Sequence, residues 1–187
     1  MPRRRRGERA TTRGDDPGAT ALDDAPWAPT RLLIRPAAPR DRASLAAIRE
    51  RAAGSFVHER PGDDEQFPHR LDIPQGEDYF CLVAERDAEV IGYVSAGGGR
   101  DPDRKSYAEV YEIAVAEVAR RSGVGGRLLS EALTLVCDAS YGGVTAWVFE
   151  ADEGVTALFR AGGLTPDGAR LSAGEGRGPA VRYAFVP

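Results

Sequence analysis

The feature that most constrains the fold is a strand, a glycine-rich loop and a helix start that follow one another directly. The run from Val115 to Leu129 contains Arg-Arg-Ser-Gly-Val-Gly-Gly. Main-chain N–H groups of such a loop can turn toward one anion, and the helix start adds unpaired donors and the positive end of its dipole. The sequence therefore predicts an anion site suited to a pyrophosphate, built on glycines 123, 125 and 126 and arginines 120, 121 and 127.

The loop taken alone is compatible with other interpretations. A nucleoside triphosphate loop is excluded because Arg127-Leu128 stands where Lys-Ser/Thr is needed. A dinucleotide-binding fold is disfavoured because Leu128 replaces the third glycine of its fingerprint and an antiparallel hairpin precedes the loop. A glycine-rich turn without a ligand remains as consistent with these residues as an anion site.

Hydrophobic periodicity along the chain predicts one α/β domain of the α+β type. Hairpins alternate with strand–helix–strand crossovers, so one sheet should contain parallel and antiparallel strands with helices on both faces. Strands are predicted over 30–35, 79–85, 90–96, 108–115, 144–149, 169–172 and 181–186, and helices over 42–53, 124–141 and 152–160.

Several connections carry local signals of their own. Asp41 is predicted to be the N-cap of the first helix, and residues 97–99 a glycine-rich turn. The irregular spacing of Val110, Ile113 and Val115 predicts a β-bulge in their strand. Residues 55–78 are expected to form a loop with a short helix.

A longer pattern surrounds the glycine-rich loop. Arg120-x-x-Gly123-x-Gly125 follows the strand Glu109-Val-Tyr-Glu-Ile-Ala-Val115, and matching segments follow at 147–164, 166–170 and 181–183. Together they resemble the GNAT superfamily of N-acetyltransferases, whose signature is Arg/Gln-x-x-Gly-x-Gly/Ala. The resemblance covers about residues 30–187 and is strongest from Tyr79 onward.

This resemblance implies a bent mixed sheet whose fourth and fifth strands splay apart to admit the pantetheine arm of acetyl-CoA. Main-chain groups of Ile113 and Val115 would pair with that arm, and the N–H of Val115 would polarise the thioester carbonyl. Residues 121–126 would donate N–H groups to the pyrophosphate, and no metal is required. The residues implied to bind acetyl-CoA are Ile113, Ala114, Val115, Arg120, Arg121, Ser122, Gly123, Val124, Gly125, Gly126, Arg127, Asp152 and Phe159.

Acetyl transfer to an amine needs a group that accepts the amine proton. Glu109 and Glu112 are the candidates. A regular pleat would place residues three apart on opposite faces, and the predicted bulge leaves the choice open. Several relatives carry their base at the position of Glu109, whereas Glu112 lies nearer the thioester end. A solvated strand glutamate is the alternative for each.

One departure from the family concerns the leaving group. Many relatives carry an Asn at the start of the short helix and, seven residues later, a Tyr proposed to protonate the departing thiolate. This chain has Asp152 and Phe159 there. A thiol pKa of about 8.5 makes the thiolate a tolerable leaving group, so water could supply the proton. The alternative is a GNAT-like module that binds acyl-CoA without efficient turnover.

The composition limits the classes of partner that the protein is expected to bind and its expected location in the cell. The net charge is −4, which argues against a general nucleic-acid binder although arginines cluster at 3–6. Residues 1–28 have almost no large apolar side chains and are expected to be a disordered tail before a domain over 30–187. No apolar run suits a bilayer or a signal peptide, so the expected location is the cytoplasm.

The cysteines and histidines give no sign of a metal site. Cys81 and Cys137 are predicted to be two buried thiols rather than a disulfide. His58 and His69 are eleven residues apart, with no third ligand in an obvious pattern.

The sequence as a whole predicts an acetyl-CoA-dependent N-acetyltransferase acting by direct attack on a primary amine of a small molecule or protein. Acidic residues within 54–75 could meet a basic amine, and a hydrated loop is the plainer interpretation. The rival functions are a non-catalytic or weakly active acyl-CoA-binding module and, more remotely, a nucleic-acid-associated protein using the basic arm. The acceptor and a homodimeric state are left open.

Overall fold

Seven strands and three α-helices make up the described part of the chain. The computed structural model describes residues 31–52, 79–172 and 178–186, which lie within the unit Arg31–Pro187. The strands are β1 (Leu33–Pro36), β2 (Tyr79–Arg86), β3 (Glu89–Gly98), β4 (Ala108–Val115), β5 (Val144–Phe149), β6 (Thr165–Ser172) and β7 (Pro179–Phe185). The helices are α1 (Arg42–Arg51), α2 (Val124–Asp138) and α3 (Glu153–Ala161).

The strands form one mixed sheet in the order β1-β2-β3-β4-β5-β7-β6. β4 and β5 are parallel and the other neighbouring pairs are antiparallel, which confirms the predicted mixed sheet. The turn predicted at 97–99 begins too early, because Gly97 and Gly98 still pair with Glu109 and Ala108 in β3. The predicted tail over 1–28 and the predicted loop over 55–78 lie entirely outside the described residues.

Asp41 does not cap α1 as the sequence predicts. It stands at the N-cap position, but its carboxylate accepts the N–H of Ala38 at 2.7 Å and pairs with Arg35 at 2.7 Å. The carboxylate therefore closes the 3-10 turn Pro39–Asp41 and connects it to β1. The arginine lowers the pKa of Asp41, because its hydrogen bonds favour the ionised carboxylate.

Each face of the sheet is covered by apolar helix residues. On one face α2 buries a stripe at helical spacing, and α3 adds Phe159 to the same core. On the opposite face, Leu45 and Ile48 of α1 pack against Tyr93 and other strand residues. The residues that α2 buries are Val124, Leu128, Leu129, Ala132 and Val136.

The predicted bulge in β4 is present. Ser95 of β3 pairs with Glu112 and the next residue, Ala96, pairs with Val110, so Tyr111 is the extra residue. Val110 and Ile113 both pack into the α2 core, which places Glu109 and Glu112 together on the α1 face. A regular strand would have separated the two glutamates.

The two cysteines differ in exposure. Cys81 is buried on the α1 face, as predicted, but the prediction of a buried Cys137 is wrong because its side chain is exposed. Val136 faces the core, and the next helical residue is rotated about 100° away from it. No helix among the described residues is long and apolar enough to cross a bilayer.

Candidate active site

A cleft opens where β4 and β5 separate. The two strands pair only from Ala108 to Val110 on one side and from Val144 to Ala146 on the other. Beyond those pairs lies a cavity of about 570 Å³ between β4, the glycine-rich loop and α3. Its described lining consists of Ala52, Ile113, Ala114, Val115, Ala119, Arg120, Arg121, Gly123, Gly125, Gly126, Asp152, Gly154, Val155, Ala157 and Leu158.

The main chain of β4 presents alternate residues to this cleft. The N–H of Ala116 donates to the carbonyl of Ile91 in β3 at 2.8 Å. Because strand residues alternate in the side to which their N–H and C=O point, Ile113 and Val115 direct theirs away from β3 and toward the cleft. The Val115 carbonyl accordingly accepts Nε of Arg120 at 3.4 Å. An extended ligand could therefore pair with β4 as an added strand.

The loop before α2 has a conformation suited to an anion. Gly123 is the N-cap of α2 with φ of 82°, and Arg121 also adopts a left-handed conformation with φ of 61°. Non-glycine residues rarely take this conformation, and such strain concentrates at functional sites. The Ser122 hydroxyl donates to the Ala119 carbonyl at 2.7 Å and closes the turn. The first N–H groups of α2 lack intrahelical acceptors and remain available to a ligand.

The glycines of the loop fit a closely approaching phosphate. A Cβ added at Gly123 or Gly126 would meet no heavy atom within 4 Å, so neither position is filled by packing. At Gly125 an added Cβ would lie 3.4 Å from Leu158 and 3.7 Å from Val115, which is ordinary contact distance within the cleft lining. The space above the loop is therefore open, and the residues present fit the pyrophosphate of acetyl-CoA.

Most residues predicted to bind acetyl-CoA line the cleft, and four do not belong to its described lining. Ser122 and Arg127 lie in the same loop and helix start without lining it, and Val124 is completely buried in the α2 core. Phe159 is also completely buried, with its ring 6.0 Å from that of Tyr183. Phe159 therefore belongs to the core in this structure, and the preceding residue, Leu158, takes the cleft side of α3.

Sequence reasoning missed the apolar wall that α3 contributes. Gly154, Val155, Ala157 and Leu158 line the cleft, and Asp152 caps the helix by accepting the N–H of Val155 at 3.0 Å. The spacing of Val155 and Leu158, three residues apart, was the available signal, since such residues share one helix face.

Glu109 is held in a buried ion pair. Its carboxylate accepts Nη2 of Arg100 at 2.5 Å, Nε at 3.1 Å and the Arg100 main-chain N–H at 3.3 Å. The Glu109 side chain is 1% exposed and that of Arg100 is 5% exposed. The Arg100 guanidinium also lies 5.3 Å from the ring centre of Tyr111. These contacts give Glu109 a structural partner and remove it from solvent.

Glu112 is buried with a weaker partner. Its Oε2 lies 3.6 Å from Nε of Arg49 in α1, and its side chain is 11% exposed. Burial raises the pKa of Glu112, while Arg49 and the Tyr93 hydroxyl act in the opposite direction. A carboxylate with a raised pKa is a better proton acceptor than an ordinary one near neutral pH. Neither glutamate is in the described cleft lining, but Glu112 directly precedes Ile113, which is.

No group of three or more His, Cys, Asp or Glu in the described ranges is placed to hold a metal ion. His58 and His69, the only histidines in the sequence, fall in the undescribed stretch between α1 and β2.

Comparisons with known proteins agree with this geometry. The family model for the acetyltransferase (GNAT) family matches residues 45–163, which is more than half of the chain. A search of curated proteins gave no match.

Among solved structures, the chain is similar to a GCN5-related N-acetyltransferase from Kribbella flavida, with 19% identity and a TM-score of 0.68 over 83% of this chain and 98% of the other. A ribosomal-protein-alanine N-acetyltransferase from Brucella melitensis gives 23% identity and a TM-score of 0.68 over 83% and 99%. The structure of yncA from Salmonella typhimurium, solved with its cofactor acetyl-CoA, gives 19% and 0.68 over 84% and 94%. At these identities the solved structures show a shared fold. The cleft between β4 and β5, the glycine-rich loop and the family match together establish that the chain belongs to the GNAT family of acetyltransferases.

Proposed function

We propose that the chain transfers an acetyl group from acetyl-CoA to a primary amine of a small molecule or protein. The observation that carries this proposal is the cleft at the separation of β4 and β5. One wall offers the main-chain groups of Ile113 and Val115, and the floor is the loop from Arg120 to Gly126. An extended thioester with a charged pyrophosphate end has the shape and charge that these two features fit.

The loop would hold the pyrophosphate through main-chain N–H groups between residues 121 and 126. The helix dipole of α2 favours negative charge there, and Arg120 and Arg121 add positive charge beside it. Main-chain groups of Ile113 and Val115 would align the pantetheine arm. The N–H of Val115 would stabilise the negative charge that develops on the thioester oxygen during attack.

The chemistry is direct attack within a ternary complex. Acetyl-CoA supplies an activated acyl group, and the amine nitrogen forms a bond to its carbonyl carbon while the carbon–sulfur bond breaks. The amine must give up a proton, and we propose Glu112 as its acceptor because Glu109 is already bound by Arg100. Arg120, Arg121 and Asp152 are the ionisable residues of the described lining, so water is the proposed proton source for the thiolate.

A binding module without efficient turnover is the second candidate. It is favoured by the position of Phe159 in the core, because no tyrosine hydroxyl belongs to the described cleft lining. Relatives with a tyrosine there are proposed to use it as an acid, and this chain would rely on water.

Binding and turnover separate the two candidates. Calorimetry with acetyl-CoA tests the cleft, and thiol release across a panel of amines tests transfer. We expect binding in the micromolar range and thiol release that depends on at least one amine. Glu112→Gln should retain acetyl-CoA binding and lose thiol release. Absence of binding at high micromolar acetyl-CoA refutes both candidates, and binding without amine-dependent release favours the module.

A further inference from the structure

The Glu112 carboxylate lies in a polar enclosure built from three elements on the α1 face. Arg49 approaches it from α1 at 3.6 Å, and Tyr93 of β3 lies against it from the sheet. Tyr79 and Cys81 of β2 complete the described titratable groups around it. The enclosure is therefore assembled from residues that are far apart in sequence.

The Tyr93 hydroxyl is the unusual member of this enclosure. Tyr93 is completely buried, and its hydroxyl makes no hydrogen bond of good geometry within the described parts of the chain. It nevertheless lies close enough to Glu112 to favour the ionised carboxylate. A buried hydroxyl without a well-formed hydrogen bond costs folding free energy, and phenylalanine would avoid that cost. Packing alone therefore does not account for a hydroxyl at this position.

The enclosure and the cleft are bordered by neighbouring residues of the same two elements, α1 and β4. Ala52 lines the cleft, and it follows Arg49 by three residues at the end of α1. Ile113 lines the cleft on β4 and is the direct neighbour of Glu112. Arg49 and Tyr93 consequently act on a carboxylate located at the edge of the cleft, where the β4–β5 pairing has ended.

We propose that Arg49 and Tyr93 are positioning residues that keep Glu112 ionised and oriented as the proton acceptor of the reaction. This inference rests on the proposed function, because it assigns the roles around the base of that same site. Arg49 supplies a positive charge and Tyr93 a hydroxyl. Neither residue needs to touch the amine.

The charges around Glu112 set the direction of the expected effects. Burial raises the pKa of Glu112, and Arg49 and the Tyr93 hydroxyl lower it again. Tyr79 and Cys81 are neutral near pH 7, and burial raises the pKa of each even further above that range, to about 12. Removing Arg49 or the Tyr93 hydroxyl should therefore raise the pKa of Glu112 further.

The first test uses the apo chain and needs no acceptor amine. Equilibrium unfolding is measured from pH 4 to pH 9 for the wild type, Glu112→Gln, Arg49→Gln and the double variant. A group with a raised folded-state pKa favours folding below its unfolded pKa and loses that contribution as the pH rises through the folded value. As the pH rises, the free energy of unfolding of the wild type should therefore fall relative to that of Glu112→Gln. For Arg49→Gln this fall should be larger than for the wild type and should continue to a higher pH.

The double variant and a matched arginine distinguish positioning from packing. Glu112→Gln should cancel most of the pH-dependent loss that Arg49→Gln causes. Arg51→Gln removes the same charge from an exposed position on the same helix and should leave the pH dependence unchanged. A loss from Arg49→Gln that is constant with pH and unaffected by Glu112→Gln overturns the inference for Arg49.

The second test follows thiol release against pH with an amine that the wild type accepts. Arg49→Gln and Tyr93→Phe should move the acid limb of turnover to higher pH, and Arg49→Lys should largely restore it. Tyr93→Phe removes one oxygen and keeps the ring, so it tests the inference even if Arg49→Gln does not fold. The positioning role is refuted if the acid limb of turnover lies at the same pH in all four proteins: the wild type, Arg51→Gln, Arg49→Gln and Tyr93→Phe. If no amine supports thiol release, the proposed function fails, and the unfolding experiment alone decides the role of Arg49.

Discussion

Replacing Glu109 by glutamine should destabilise the protein strongly. The structure gives Glu109 three N–H contacts from Arg100, and both side chains are almost completely buried. Removing one partner of a buried ion pair costs about 3–5 kcal/mol, because the other charge is left uncompensated. The glutamine oxygen can still accept one N–H, so about 3 kcal/mol is expected. For a chain of 187 residues this corresponds to a loss of about 6–12 °C in Tm.

The assay is thermal and denaturant-induced unfolding of Glu109→Gln beside Glu112→Gln. The two variants remove the same charge from the same strand, and the arginine beside Glu109 is far less exposed than the arginine beside Glu112, with side-chain exposures of 5% and 29%. Acetyl-CoA binding is measured well below the lowered Tm. We expect Glu109→Gln to bind acetyl-CoA with nearly wild-type affinity, because Glu109 does not belong to the described cleft lining.

Adding Arg100→Gln to Glu109→Gln should recover part of the lost stability, because the double variant buries no unpaired charge. The reasoning is refuted if Glu109→Gln melts within about 2 °C of the wild type, a change below one kcal/mol for this chain length. A normal Tm combined with loss of thiol release would instead identify Glu109 as the proton acceptor.

The remaining predictions concern the base, the loop and the core. Glu112→Gln should lower thiol release by about 100-fold or more, which is the usual contribution of a general base. Its Tm at pH 8 should equal or exceed that of the wild type because a buried charge is removed, and a large loss of Tm would contradict this. Gly123→Ala should cost about 1–2 kcal/mol in denaturant unfolding because of its left-handed conformation. Gly126→Ala, equally open but helical, should be neutral or gain up to about 1 kcal/mol, and equal effects at both glycines would rule out the conformational explanation. Phe159→Tyr should lower stability by about 1–3 kcal/mol, the usual cost of a buried unpaired hydroxyl, without raising thiol release; faster release would show that the side chain at 159 reaches the leaving group.

Local signals in the sequence predicted much of the fold and of the glycine-rich loop. Periodicity alone predicts the strand at 144–149 and the start of α2 at Val124, and the glycine and arginine pattern alone predicts the loop from Arg120 to Gly126. These features depend on residues within one or two turns of each other, so short-range chemistry is sufficient. The misassigned Asp41 cap shows the limit, since a carboxylate at the N-cap position can bind an arginine of the neighbouring strand and a preceding main-chain N–H instead of the helix.

Sequence patterns were sufficient to predict the family signature, the mixed sheet and two glutamates on the strand that borders the cleft. The tertiary structure pairs Glu109 with Arg100 at 2.5 Å and Glu112 with Arg49 at 3.6 Å, and these pairings could not be assigned from the sequence. The bulge at Tyr111 also places both glutamates on one face of the sheet, and the side chain of Phe159 is buried in the core. Burial and charge pairing depend on how separate elements pack against each other, and local sequence patterns do not specify that packing.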